Sequence, residues 1–280
     1  MIGDDPLPRE LAPGIFWLGG CLEQRFQGQT LHSYNSLYLV AGDDASLLVE
    51  AGHPQDSELV LAQLDELLQG GVAPLRYIFA THQETPHAGG VGALLRRYPD
   101  AELCGDVRDY HLFLPGLAER LRPLAPGERL DLGATEFVAL DATIRDLAST
   151  RWGFDTRRRV LFCGDGFAYS HYHQAGHCGM VAEEVPELPV AEMTALFTEL
   201  ALYWTRFADI EPYIRRLDRV LDERAVRLVC PTHGLPITEL GITMPAIRQG
   251  LRLGSEGGAR AAAAHAAAHA GARDRASGSA

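Results

Sequence analysis

Three side chains of types that bind metal ions lie close together in the chain, at His82, Glu84 and His87. Imidazole and carboxylate groups are ligands of intermediate and hard character, which suit iron, zinc or manganese. Residues 89 and 90 are both glycine and allow the backbone to turn tightly around an ion. Because so many donors on one loop are hard to explain as ordinary surface residues, this loop predicts a metal site.

Two further donors of the same kind follow apolar runs elsewhere in the chain. The run 77–80 leads into the loop just described, the run 159–163 leads to Asp165, and the run 226–230 leads to His233. Open α/β sheets gather their ligands at the carboxyl ends of the strands. We therefore expect the polar residues after these three runs to meet in the folded chain.

The remaining sequence predicts the elements that would position these residues. Short β-rich runs predict strands, the first three as an antiparallel meander, and apolar residues at helical spacing predict helices. The expected strands cover 15–18, 36–40, 45–50, 77–80, 101–104, 135–140, 159–163 and 226–230. The expected helices cover 56–68, 90–98, 112–122 and the long stretch 190–221. This mixture of strands and helices is typical of an α/β fold.

Composition places the chain among globular proteins and excludes several partners. It has 280 residues, of which 46% are hydrophobic and 22% charged, enough to bury a sizeable core. The net charge of −12 disfavours nucleic acid and anionic membranes as partners. No secretory signal or long apolar run is present, so we expect a cytoplasmic protein.

We expect one domain over residues 1–250, followed by a disordered tail. Residues 251–280 are rich in alanine, glycine and arginine and have no apolar face. The five cysteines are an odd number without any C-x-x-C pair. They therefore predict neither a disulfide framework nor a thiolate zinc site, and we expect most of them to be small buried hydrophobic residues.

Four motifs in order resemble the metallo-β-lactamase superfamily. The loop 81–90 looks like its H-x-[HE]-x-D-H signature, and glutamate at the second ligand position is similar to the flavodiiron type. Residues 34–40, 161–167 and 230–234 are similar to three further family motifs. The resemblance implies a four-layer αββα sandwich that holds two metal ions. Iron is favoured, and zinc or manganese are the alternatives.

The same resemblance implies a role for each donor. His82 and Glu84 would hold the first metal ion, His87 and His233 would hold the second, and Asp165 would bridge both.

The chain departs from the family pattern at two ligand positions. Pro86 stands where the family has an aspartate, and its side chain has no donor atom. The family's isolated histidine is absent, and Asp146 is the best substitute by its distance along the chain from the bridging aspartate. Such a carboxylate-rich site would favour iron or manganese. The alternative is that Asp146 pairs with Arg145 or Arg151.

Several histidines are candidates for a supplementary role. His171, His173 and His177 follow the expected bridging aspartate on a loop, where one of them could reach the metals, gate the site or lie at the surface. In the layout that the resemblance implies, His32 and His53 lie near the mouth of the same site.

The first function that this pattern favours is a di-iron protein that binds oxygen or reduces oxygen or nitric oxide. Full flavodiiron proteins receive electrons from an attached flavodoxin domain, which this sequence does not contain. We therefore expect a separate electron donor or a site that only binds oxygen and signals, and a homodimer, as is frequent among relatives. The alternatives are a metal-dependent hydrolase of an ester, thioester or lactone, which Pro86 disfavours, and a degenerate sensor or interaction domain without catalysis.

Overall fold

The computed structural model of the protein describes residues 7–26, 29–167 and 173–257. Within these ranges the strands are β1 (Arg9–Ala12), β2 (Ile15–Leu18), β3 (Cys21–Phe26), β4 (Gln29–Tyr34), β5 (Leu37–Ala41), β6 (Ser46–Val49), β7 (Leu75–Phe79), β8 (Glu102–Gly105), β9 (Leu121–Pro123), β10 (Arg129–Asp131), β11 (Glu136–Asp141), β12 (Arg151–Asp155), β13 (Val160–Gly164) and β14 (Leu228–Pro231). The helices are α1 (Ser57–Gln69), α2 (Thr85–Ala88), α3 (Val91–Arg97), α4 (Tyr110–Phe113), α5 (Val190–Ala201), α6 (Glu211–Glu223) and α7 (Leu240–Ser255).

The strands form two large sheets and one hairpin. The first sheet has the order β1-β2-β5-β6-β7-β8-β9, and the second has the order β10-β11-β12-β13-β14. The expected meander of β2, β5 and β6 is antiparallel, as predicted, whereas β7 to β9 and the pair β13–β14 are parallel. The hairpin of β3 and β4 stands apart as a sheet of its own.

Alternation along the strands of the first sheet divides its side chains between two cores. In β5, Tyr38 and Val40 contact the core that also contains Phe137 and Phe162 of the second sheet. Leu39, between them, belongs instead to the core that contains residues of α1 and α3. Because successive side chains of a strand point to opposite faces, one sheet serves both cores.

The layers therefore follow the expected order of helices, sheet, sheet and helices. The core between the sheets continues to Ile214 and Leu217 of α6 and to Ile247 of α7. The α/β fold class and its αββα arrangement are confirmed by this packing. None of the helices in the described ranges combines the length and apolar character needed to cross a bilayer.

Two of the expected helices are interrupted in the structure. Residues 112–122 contain only the end of α4, a 3-10 segment at Pro115–Arg120 and the start of β9. Pro115 has no backbone N–H, which explains the end of α4 before it. The expected long helix 190–221 is divided into α5 and α6 by a 3-10 segment at Tyr203–Phe207, so that prediction was also wrong.

The carboxyl end of the described chain also differs from the expectation. Helix α7 continues to Ser255 with Leu251 and Gly254 buried, so the expected boundary after residue 250 falls inside a packed helix. The rest of the expected tail, residues 258–280, lies outside the described residues.

Two glycines of α7 allow its close packing against α5, which gives a testable prediction. A Cβ atom on Gly250 would lie 2.5 Å from the Ala191 carbonyl oxygen and 2.5 Å from Thr194 Cβ. We expect Gly250→Ala to destabilise the fold by about 1–3 kcal/mol, because overpacking forces the two helices apart. Urea unfolding followed by circular dichroism would measure this change.

The matched control is Gly241→Ala in the first turn of the same helix. A Cβ atom there has no neighbour within 4 Å, so we expect equal or slightly higher stability. Equal stability changes for both variants would contradict the packing argument.

Candidate metal centre

The loop after β7 brings its three donors to one edge of the first sheet. His82 follows the strand, Glu84 precedes α2, and His87 lies within that helix. The side chains of both histidines are fully buried, whereas half of the Glu84 side chain is exposed. The other donors come from the second sheet, where Asp165 follows β13 and His233 follows β14.

Asp165 lies between two groups of donors and directs a different oxygen atom at each. Its Oδ1 is 3.4 Å from His87 Nε2 and 3.7 Å from His233 Nε2. Its Oδ2 is 3.8 Å from His82 Nε2. Donor atoms that share one ion at bond lengths of about 2.0–2.2 Å are separated by roughly these distances. The two oxygens of this carboxylate therefore lie at ligand distance from different histidines.

Asp146 lies beside the His82 imidazole. Asp146 Oδ2 is 3.4 Å from His82 Nε2, and the Asp146 side chain is only 8% exposed. Its Oδ1 accepts hydrogen bonds from the Leu147 backbone N–H and the Thr150 hydroxyl, which fix the carboxylate in this orientation. Glu84 is the third carboxylate near His82, with its Oε2 at 4.0 Å from His82 Nε2.

The alternative of an arginine partner for Asp146 finds no support in the described contacts. Arg145 pairs with Asp141 at 2.9 Å, and Arg151 pairs with Asp106 at 3.0 Å. Asp146 therefore stays available to an ion.

These donors fit a metal because several buried polar atoms at the centre lack a hydrogen-bond partner. The unpaired atoms are His82 Nε2, His87 Nε2 and Asp165 Oδ1. Burying a polar atom without a partner costs about 1–3 kcal/mol, so these three atoms around the Asp165 carboxylate need an explanation. Cations beside that carboxylate would satisfy all of them. We name the set His82, Glu84, His87, Asp146, Asp165 and His233 the strand-end site.

The electrostatics at His87 and Glu84 of the strand-end site favour positive charge, whereas burial lowers the pKa values of His82 and His233. Burial alone would lower the pKa of His87, but the carboxylates of Asp165 and Glu50 outweigh it and raise that pKa well above its usual value. Burial, Asp146 and Asp165 together raise the pKa of Glu84, because negative charge accumulates there. An arrangement that stabilises an imidazolium also stabilises a metal cation in the same place.

Glu50, at the end of β6, is a residue of this site that the motif comparison missed. Its buried carboxylate accepts hydrogen bonds from the Thr81 N–H and hydroxyl and from the Thr232 hydroxyl. His87 Nδ1 lies 3.1 Å from its Oε1, so the Nδ1–H donates there and Nε2 faces Asp165. A carboxylate that accepts a hydrogen bond from the ring nitrogen not facing the metal fixes the tautomer and orientation of a metal-binding histidine.

A signal for Glu50 was present in the sequence. An acidic residue directly follows the apolar run of β6, as Asp165 follows that of β13. Glu50 also has a φ of 68°, a left-handed conformation that is uncommon for residues other than glycine. The surrounding hydrogen bonds hold this backbone conformation in place.

Two of the supplementary histidines lie in local turns. His53 caps the 3-10 segment Pro54–Asp56, and His177 follows a turn that begins at Gln174. His171 lies outside the described residues. Pro86 lies in the first turn of α2, so no carboxylate accompanies His87 and His233 at that position.

His32 and His173 form a separate group with Cys21 and Cys178, in which all four donor atoms lie within 4.8 Å of one another. We name these four residues the cysteine–histidine cluster. The expectation that most of the cysteines are small buried residues is confirmed for Cys104, Cys163 and Cys230, whereas Cys21 and Cys178 are half-buried.

Asp146→Asn tests the substitute ligand. The amide oxygen can keep the hydrogen bonds from Leu147 and Thr150, while the anionic Oδ2 becomes a donor group. We expect the affinity for the ion beside His82 to fall about 10–100-fold without a loss of fold, as measured by metal titration. The control is Asp141→Asn, which pairs with Arg145 and Arg216 at the surface. Unchanged affinity in Asp146→Asn would exclude ligation.

Comparisons with known proteins agree with this geometry. A model of the metallo-beta-lactamase superfamily matches residues 32–233. The coenzyme F420H(2) oxidase of Methanothermobacter thermautotrophicus is 27% identical over 248 residues, which cover 82% of this chain and 58% of the oxidase. A hydroxyacylglutathione hydrolase of Synechococcus sp. is 30% identical over 169 residues, which cover 58% of each protein.

A solved structure shows the same fold. The flavodiiron protein from Giardia intestinalis superposes with a TM-score of 0.70 at 16% identity, over 89% of this chain and 59% of that protein. The chain spans between 41% and 58% of the length of the curated relatives that it matches.

Proposed function

The chain belongs to the metallo-beta-lactamase superfamily, and we propose on this basis that its strand-end site holds two iron ions and binds or reduces oxygen or nitric oxide. The observation that carries the proposal is the orientation of Asp165. One of its oxygens faces His87 and His233, and the other faces His82. A single carboxylate with donors on both sides is suited to two ions rather than one.

The choice of iron follows from the donor types. The group around His82 combines one imidazole with the carboxylates of Glu84, Asp146 and Asp165. This set is harder and more anionic than the histidine-rich sets of zinc hydrolases, and hard oxygen donors favour iron or manganese over zinc. The likeness to a flavodiiron protein supports iron, and the likeness to an F420H(2) oxidase supports redox chemistry. Two irons would supply electron transfer to a small diatomic ligand.

The protein's own residues would control access and orientation. Glu50 holds His87 through Nδ1, and Asp146 is fixed by its bonds to the following backbone. Pro86 offers no donor to an ion held by His87 and His233, which would leave a coordination position there for an external ligand. The electrons would come from a separate protein, and a homodimer remains a prediction.

Metal analysis joined to activity measurements tests this proposal. Protein purified without chelators from iron-supplemented cells should carry two irons at the strand-end site and show their charge-transfer absorption in the near ultraviolet. With a chemical reductant it should consume oxygen or nitric oxide, and His82→Ala should lose both the iron and the consumption. Protein that takes up no iron at this site would overturn the proposal.

A metal-dependent hydrolase is the second candidate, which two observations favour. The chain is similar to a hydroxyacylglutathione hydrolase, and a cavity of about 300 Å³ opens beside Glu84, large enough for an organic substrate. Against it, Pro86 replaces the carboxylate that would orient a metal-bound hydroxide. Two zinc ions at the strand-end site together with turnover of a thioester or lactone would establish this function instead.

A further inference from the structure

The cysteine–histidine cluster brings together two parts of the chain that are far apart in sequence. Cys21 and His32 lie on β3 and β4, where the register pairs Cys21 with Tyr34 and Glu23 with His32. Side chains two residues apart on a strand share a face, so Cys21 and His32 are diagonal neighbours on one face of the hairpin.

The second half of the cluster is attached to this hairpin by backbone hydrogen bonds. The N–H of His32 donates to the carbonyl of His173 and the N–H of His173 donates to the carbonyl of His32, both at 3.0 Å. A turn at Gln174–His177 then returns the chain, so that Cys178 Sγ lies 3.3 Å from Cys21 Sγ.

The distances between donor atoms match the edges of a tetrahedron around one ion. Cys21 Sγ is 3.3 Å from His32 Nδ1 and 3.4 Å from His173 Nε2. Cys178 Sγ is 3.6 Å from His32 Nδ1. Bonds of about 2.3 Å to sulfur and about 2.0–2.1 Å to nitrogen give tetrahedral edges of about 3.3–3.8 Å.

We propose that Cys21, His32, His173 and Cys178 bind one structural zinc ion, separate from the strand-end site. Two thiolates and two imidazoles in a tetrahedron are a typical zinc ligand set, and four protein ligands leave no open position for a substrate. All four donor atoms lie within 4.8 Å of one another, as one ion requires. This proposal does not depend on which metal the strand-end site holds.

A disulfide between Cys21 and Cys178 is the competing arrangement. A disulfide has a sulfur–sulfur distance of about 2.05 Å, whereas these atoms lie 3.3 Å apart. A disulfide would also give no role to the two imidazoles beside the sulfur atoms. The position of all four donors therefore favours an ion.

The zinc ion would stabilise the wall of the strand-end site beside His233. Tyr34, the last residue of β4, stacks on His173 with ring centroids 5.6 Å apart, and its hydroxyl accepts a hydrogen bond from the Gly179 N–H at 2.8 Å. The Tyr34 backbone forms a hydrogen bond with the His233 side chain. Fastening the hairpin to the segment 173–178 thus also fixes a neighbour of His233.

Cobalt substitution tests the proposal, because sulfur ligands give a distinct spectrum. The strand-end site contains only nitrogen and oxygen donors, so thiolate-to-cobalt charge transfer can come only from the cysteine–histidine cluster. The full-length protein reconstituted with Co²⁺ should show this absorption together with intense tetrahedral bands. Cys21→Ser and Cys178→Ser should lose it and should each bind one zinc fewer per chain. Cys104→Ser, a buried cysteine outside both sites, should retain both properties.

A second measurement on the unaltered chain does not depend on the folding of variants. Zinc should protect Cys21 and Cys178 of the reduced protein from alkylation, as read by peptide mass mapping. Absence of the charge-transfer band, or equal alkylation with and without zinc, would overturn the proposal. The proposal would also be overturned if metal-free protein contained a Cys21–Cys178 disulfide and treatment with reductant and zinc did not convert it into a zinc-bound pair of thiolates. If the protein bound no iron at the strand-end site but kept the cobalt–thiolate band, only the proposed function would be contradicted.

Discussion

Replacing Asp165 with asparagine is expected to remove both ions from the strand-end site. The carboxylate directs Oδ1 at His87 and His233 and Oδ2 at His82, so one substitution alters both groups. An amide carries no charge and offers one oxygen. The loss of a residue that only holds a metal ligand in place costs about 10–100-fold in affinity. We therefore expect the affinity for each ion to fall at least about 100-fold. Elemental analysis after dialysis would measure the loss.

The fold of Asp165→Asn should survive, because asparagine fills the same volume as aspartate. Asp209→Asn, an exposed aspartate before α6, is the matched control and should keep its full metal content. If Asp165→Asn retained two ions with unchanged affinity, the assignment of Asp165 as the bridge would be wrong.

Glu50→Ala is expected to have the largest effect on stability. The carboxylate accepts hydrogen bonds from Thr81 and Thr232 and faces His87 Nδ1, in a fully buried position. Removing it leaves the Thr81 and Thr232 donors without this acceptor and takes away one of the two carboxylates beside His87. Breaking a buried pair in this way costs about 3–5 kcal/mol, which urea unfolding of metal-free protein would measure. The affinity of the protein for the ion that His87 would hold should also fall about 10–100-fold.

Two further variants separate the causes of this loss. Glu50→Gln keeps one oxygen acceptor but directs an N–H group at the Thr81 N–H, so we expect a smaller loss than in Glu50→Ala. Glu58→Ala, an exposed glutamate in the first turn of α1, should change stability by less than about 0.5 kcal/mol. A loss below about 1 kcal/mol in Glu50→Ala would show that the buried hydrogen bonds contribute little.

The fold and most donors of the strand-end site could be predicted from the sequence for a local reason. Apolar runs predicted β7, β13 and β14 within a few residues, and the donor lies within three residues of the end of each strand. The carboxyl ends of β13 and β14 meet at one edge of the second sheet, whereas the packing of the two sheets brings the loop after β7 beside them. Breaks within helical stretches were harder to predict. The stretch 190–221 was predicted as one helix because its apolar periodicity is nearly continuous.

The choice among partners for Asp146 could not be made from sequence. Arg145, Arg151 and the metal-binding loop were all plausible neighbours, and only the packed loop shows that both arginines pair elsewhere. Glu50 was similarly overlooked, because its partners Thr81 and Thr232 come from two other strand ends. These contacts join residues that no local pattern relates.

The sequence by itself determined the α/β class and the types of donor at the strand ends, because both follow from short-range alternation and spacing. The αββα layering was implied by the resemblance to the metallo-β-lactamase superfamily. Only the tertiary structure decided which oxygen of Asp165 faces which histidine, and which carboxylate lies behind His87. It alone brought Cys21 and His32 to His173 and Cys178, across 152 positions from Cys21 to His173. The backbone pairing of β4 with the segment after β13 creates that cluster, and such pairing depends on the packing of the whole chain.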